Sequence, residues 1–171
     1  METRQVSQER RRAQEFEAFV AGAGGRLLHA ARLLTAEPAE ESPLAEDLLV
    51  GALARTYADW GRLRGDDPYD HARLELAGRF AHNAWRYRRP RGGLLGRLAP
   101  QERLVLVLRL YEGVAEEQVA AALALPVERV RTLCTRATTT LRSRPPAVPE
   151  GTSRGNPPTA QSGPAREKVA P

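Results

Sequence analysis

At 171 residues the chain suits one moderate domain or two small ones. Hydrophobic residues make up 42% of it but aromatic ones only 5%, which favours small helical units packed with Leu, Val and Ala over a β-sandwich. The net charge of +5 is almost all arginine, a side chain suited to phosphates and base edges, and the single cysteine, Cys134, excludes an intrachain disulfide and a cysteine-rich zinc site.

Residues 1–13 are polar and are expected to be a flexible, frayed N-terminus. Helical periodicity starts at Phe16 and continues through Phe19, Val20, Leu27, Leu28, Ala31 and Leu34. Gly22, Gly24 and Gly25 interrupt it, which predicts two short helices or one broken helix. After a loop at 35–42, a helix is predicted from 43 to about 60, with Ser42 as N-cap and Pro43 at its first position. Leu44, Leu48, Leu49, Ala52, Leu53, Thr56, Tyr57 and Trp60 give that helix one wide apolar stripe. A third helix is predicted from Pro68 to about 88, capped by Asp67. The stretch RRPRGGLLG at 88–96 breaks the pattern and marks a domain boundary. From Pro145 onward seven of 27 residues are proline with few bulky apolar groups, so 144–171 reads as a disordered tail.

Between these breaks, residues 111–142 read YEGVAEEQVAAALALPVERVRTLCTRATTTLR. Glu116 and Glu117 sit where a helix dipole favours acids, and Val119, Ala120 and Leu123 supply a short apolar face. Ala124, Leu125 and Pro126 make a turn into a second helix, whose Val130, Leu133, Ala137 and Leu141 share one face. Arg129, Arg131, Thr132, Thr135 and Arg136 fall elsewhere, as side chains that read a major groove do. An ordinary helical hairpin with a solvated arginine face has the same spacing. The turn position usually takes Gly, and Ala124 in a left-handed conformation would cost on the order of 1 kcal/mol.

The order of these pieces resembles the extracytoplasmic-function sigma factors of bacterial RNA polymerase, particularly an actinobacterial type. AEDLLVGALARTYADW at 45–60 looks like the second-region helix that docks on the coiled coil of the polymerase β′ subunit. Residues 99–142 look like the fourth region, which ends in the helix-turn-helix that reads the −35 element. The resemblance implies an all-α fold of two small helical domains: a region 2-like unit at 14–89, a short linker at 90–98 and a region 4-like unit at 99–143. It implies that Asp47, Leu48, Arg55 and Tyr57 lie in the polymerase-binding helix, with Leu48 doubling as core. It also implies that Arg79, His82, Asn83, Trp85, Arg86, Arg88 and Arg89 lie where the family grips and opens the −10 element. The other reading of that segment is a basic helix end with a buried Trp85.

Two departures from the family pattern carry weight. Val50 and Gly51 stand where a Gln and an acid are usual. Fully extended, residues 89–98 span at most ~33–36 Å, about one helical turn of DNA, so a compact unit is expected rather than one stretched along a promoter.

The implied function is promoter-directed initiation, with core RNA polymerase and promoter DNA as partners and an anti-sigma factor as a further candidate. The alternative is a divergent sigma-like DNA-binding regulator, or a partner-binding module, that does not initiate transcription. His29, His71 and His82 are scattered, so no metal, no cofactor and no enzyme chemistry are expected. With no apolar run near ~18 residues and no signal-peptide core in METRQVSQERRRAQEF, the sequence reads as cytoplasmic.

Overall fold

The structure is a computed structural model that describes residues 2–63, 65–89 and 91–143; the tail expected at 144–171 lies outside the described residues. Among the described residues there is no strand. Six α-helices follow one another: α1 (Glu2–Thr35), α2 (Pro43–Asp59), α3 (Pro68–His82), α4 (Pro100–Leu106), α5 (Glu116–Leu123) and α6 (Val127–Arg142). A 3₁₀ turn (Ala84–Tyr87) follows α3, and one π turn (Val107–Tyr111) extends α4. None of the described helices is long and apolar enough to cross a membrane.

The first correction concerns α1, which is one unbroken helix starting at Glu2. Three glycines weaken a helix by about 1 kcal/mol each but do not forbid it, and here packing outweighs propensity. The apolar phase is kept across the glycines through half-buried Ala23 to buried Leu27, Ala30, Ala31 and Leu34. Upstream, Phe16 packs on Tyr57 and Trp60 at ring-centroid distances of 4.9 and 5.1 Å. The N-terminal turns, expected to fray, are tied down by Arg12. Its guanidinium donates to the carbonyls of Tyr57 and Ala58 at the end of α2 and lies over the Tyr57 ring. Those carbonyls are among the last of α2, and a cation there also meets the negative end of its dipole.

The second correction concerns the start of α2. Ser42 occupies the cap position but makes no capping bond, because its hydroxyl accepts from Arg32 Nε at 2.8 Å. Glu37 caps the helix instead: its buried carboxylate accepts from the amides of Leu44 and Ala45 at 3.2 and 2.8 Å. The core-facing stripe of α2 is Ala45, Leu48, Ala52, Thr56 and Asp59, which leaves Tyr57 outside it. Helix α3 starts as predicted, with the Tyr69 amide donating to Asp67 Oδ1 at 2.9 Å. It ends at His82, earlier than predicted; the chain then tightens into the 3₁₀ turn, which stacks Tyr87 on Phe80 at 4.8 Å.

The buried residues before and after the Gly/Pro-rich break form one continuous core, from Ala30 and Phe80 to Leu104, Val130 and Ala137. The connecting segment is docked on it. The Gly93 amide donates to the Ala36 carbonyl at 2.9 Å, and Leu95 and Leu98 are buried. Gly93 is required there: a Cβ would lie 2.4 Å from the Ala36 carbonyl carbon. Arg103, 1% exposed, donates to the carbonyls of Leu34 and Tyr87, and burial pushes its guanidinium down to about 10. Glu112, at the end of the π turn, accepts from the Tyr69 hydroxyl at 2.9 and 3.0 Å and pairs with Arg26 at 3.2 Å. These bonds join α1 to α4 and α3 to the end of the π turn across 69 and 43 residues of sequence, so the seam between the two halves is polar and specific as well as apolar.

Candidate nucleic-acid and polymerase interfaces

Helices α5 and α6 meet at a turn whose centre, Ala124, is left-handed (φ 51°, ψ 44°), the conformation expected from its position. The Leu125 amide donates back to the Ala120 carbonyl at 2.9 Å and closes the turn. Pro126 then precedes the first turn of α6. Val130, Leu133 and Ala137 are buried, and α6 packs against α4 through this face. Arg129, Arg131, Thr132, Thr135 and Arg136 are all exposed, as the helical spacing required.

Exposure does not make them equivalent. Arg131 donates to Glu116 at 2.8 Å and to Glu128 at 2.6 Å, and the Glu116 bond, followed by the charges of Glu128 and Glu116, holds its guanidinium above the usual range. Arg136 reaches Glu102, whose carboxylate also receives the Ala99 amide at 3.0 Å. Thr132 is bonded to the Glu128 carbonyl at 2.8 Å. Among the described residues, that leaves Arg129 with no carboxylate within 4.0 Å and the Thr135 hydroxyl with no hydrogen-bond partner. Arg131 thus braces α6 against α5, a role that a helical wheel cannot show because Glu116 lies on a different helix.

At the far side of the connecting segment, Trp85 is 68% exposed, which overturns the reading of a buried indole. Arg86, Arg88 and Arg89 around it are exposed, and none makes a side-chain ion pair among the described residues. His82 is exposed too, while Asn83 is spent on the end of α3, where its Nδ2 donates to the Arg79 carbonyl at 3.0 Å. The Arg79 side chain turns to α2: its guanidinium lies against Gly51. On α2, Asp47 is exposed, Leu48 is buried at 5%, and Arg55 pairs with Asp59 at 3.0 Å. Tyr57 keeps 38% exposure, with its ring in contact with Phe16 and Arg12.

The Sigma-70 region 4 family matches residues 94–143, the segment that holds α4, α5 and α6. Two curated relatives align well beyond it. The RNA polymerase sigma-E factor of Streptomyces coelicolor is 30% identical over 153 aligned positions, covering 75% of this chain and 84% of the relative. That of Streptomyces avermitilis is 29% identical, covering 75% and 83%. The chain belongs to the extracytoplasmic-function sigma factors of the sigma-70 family. At this identity it is a divergent member of actinobacterial type. The residues that sequence reasoning missed in this sigma factor are the ones that position others: Glu116 and Glu128 around Arg131, Glu37 at the start of α2, and Arg12 over Tyr57. Gly51 carried a signal, an unexpected glycine inside a strong helix, but its counterpart Arg79 lies 28 positions away and only the packing reveals it.

Proposed function

We propose that this sigma factor directs core RNA polymerase to promoters. In this reading α1–α3 act as a region 2 unit and α4–α6 as a region 4 unit. The exposed side of α2, with Asp47, Arg55 and Tyr57, docks on the polymerase. His82, Trp85, Arg86, Arg88 and Arg89 hold the melted −10 strand, and Arg129 with Thr135 reads the upstream duplex. The site of action is the cytoplasm, with an anti-sigma factor as a further partner. The observation that supports it best is Trp85. An indole 68% exposed contributes little to folding, and among unpaired arginines it is suited to stacking on an unpaired base.

The seam adds a geometric condition. With the connecting segment pinned at Gly93, Leu95 and Leu98, contact with both promoter elements at once requires that segment to undock. The test is permanganate footprinting of a bound promoter by the holoenzyme. Trp85→Ala should keep duplex binding and lose the reactive thymines of the melted strand. Melting unchanged in Trp85→Ala would overturn the assignment. Duplex binding without melting in the wild-type holoenzyme would favour a DNA-binding regulator.

A further inference from the structure

We propose that Arg79 belongs to the polymerase-docking surface of α2, not to the DNA patch, and that Gly51 is its seat. The proposal rests on the reading that α2 docks on core polymerase. Asp47, Val50, Gly51 and Ala54 recur at the i, i+3, i+4, i+7 spacing of one helical stripe. This stripe points away from the core: Asp47 and Ala54 are exposed and Val50 is 65% exposed. At Gly51 the backbone is approached by a side chain from α3. The three atoms nearest to a Cβ built there all belong to Arg79, with Nη1 at 2.9 Å, Cζ at 3.2 Å and Cδ at 3.5 Å. The arginine therefore lies over Gly51, its Cδ and its guanidinium both against that position.

The charge arrangement decides what this surface can bind. Arg55, the cation that α2 itself carries nearby, is already paired with Asp59 at 3.0 Å. Arg79 has no carboxylate within 4.0 Å among the described residues, and neither Asp47 nor Arg79 makes a side-chain ion pair. The stripe thus offers an exposed valine beside a permanent, unpaired guanidinium delivered from a second helix. With no carboxylate partner among the described residues, that guanidinium keeps its planar fork for a carboxylate supplied by a partner. The complementary partner is a protein surface with an apolar residue next to an Asp or Glu. Phosphate is disfavoured at this position by the free carboxylate of Asp47 on the same stripe and by the apolar Val50. Gly51 makes room for the arginine in place of a side chain of α2's own, so the two positions form one recognition element.

The experiment compares full-length wild type with Arg79→Ala, Arg79→Lys and Gly51→Ala in two assays: affinity for core RNA polymerase from Streptomyces coelicolor, and affinity of the free protein for a duplex selected by the wild type. Arg79→Ala should weaken core binding about tenfold, as expected for an arginine anchor at an interface, and change duplex affinity by less than about twofold. Arg79→Lys should recover only part of the loss, because an ammonium cannot make the forked contact. Gly51→Ala should raise Tm by about 2–4 °C, since alanine suits a helix interior, yet weaken core binding by displacing the guanidinium. In the Arg79→Ala background the Gly51 substitution should cause no further loss. If wild type binds core and Arg79→Ala binds it equally well, the proposal falls while the docking role of α2 stands. A loss of duplex binding in Arg79→Ala with core binding intact returns Arg79 to the DNA patch. If wild type itself fails to bind core, the docking role of α2 falls and takes the proposal with it.

Discussion

Arg129 and Arg131 are two positions apart on the same helix and equally visible as candidates, but their surroundings predict different consequences of removal. Among the described residues Arg129 has no carboxylate within 4.0 Å, so its forked donors are available to a guanine edge. A bidentate contact of that kind contributes ~1–3 kcal/mol, so Arg129→Ala should lower affinity about 5- to 150-fold and relax the preference at one base position. Arg131 would have to surrender bonds of 2.8 and 2.6 Å to Glu116 and Glu128 before it could reach DNA. Arg131→Ala should therefore change affinity by less than about threefold, a surface pair being worth little, and should act by loosening α6 on α5. Fluorescence anisotropy of the full-length protein on a duplex selected by the wild type, repeated over a range of salt, measures both. The slope of log affinity against log salt should fall by about 1 for a lost phosphate contact and far less for a base reader. Equal losses for the two variants, with unchanged circular dichroism, would refute the division of roles between them.

Other consequences follow from the seam and the turn. Tyr69→Phe removes a donor to a buried carboxylate and should cost about 1.5–3 kcal/mol in urea unfolding. The same bond predicts a pH dependence. Burial, reinforced by the Glu112 bond, raises the Tyr69 hydroxyl above its ordinary value of 10.0, so its contribution is complete below pH 10.0 and fades as pH rises beyond it. Unfolding midpoints at pH 8 and pH 11 should differ more in wild type than in Tyr69→Phe; identical differences would contradict the assignment. Ala124→Gly relieves a left-handed alanine at φ 51° and should stabilise by about 1 kcal/mol in the same assay, with the fold unchanged. Gly93→Ala forces a Cβ into the Ala36 backbone and should destabilise by about 1–3 kcal/mol. It should also lengthen the distance between spin labels on α2 and α6, measured by double electron–electron resonance; a distance identical to wild type would show that the connecting segment stays docked.

What could be read from the sequence was local. The Asp67 cap, the extent of α2 and the left-handed Ala124 each follow from residues within a few positions of one another, and the structure has all three. The continuity of α1 is not legible locally, because three glycines in four positions resemble a helix break. The glycine penalty is small, and contacts of Phe16 with Tyr57 and Trp60, more than forty positions away, outweigh it. Glu37 rather than Ser42 caps α2 for the same reason: a longer side chain from outside the expected window reached the amides first. Arg103, Glu112 and Gly93 form the seam through partners 16 to 86 positions distant, and no periodicity encodes such pairs. Among the candidate site residues, composition and spacing found the exposed arginines. They could not separate Arg129, without a carboxylate partner among the described residues, from the braced Arg131, or place the Arg79 side chain against Gly51 of α2.

The most direct test of the central claim is run-off transcription by core RNA polymerase from Streptomyces coelicolor, with and without this protein, on genomic fragments that the protein retains. The account predicts discrete transcripts that depend on the protein and disappear with Trp85→Ala. Retained fragments that yield no transcript at any protein concentration, despite active core enzyme, would contradict it and leave a protein that holds DNA without opening it.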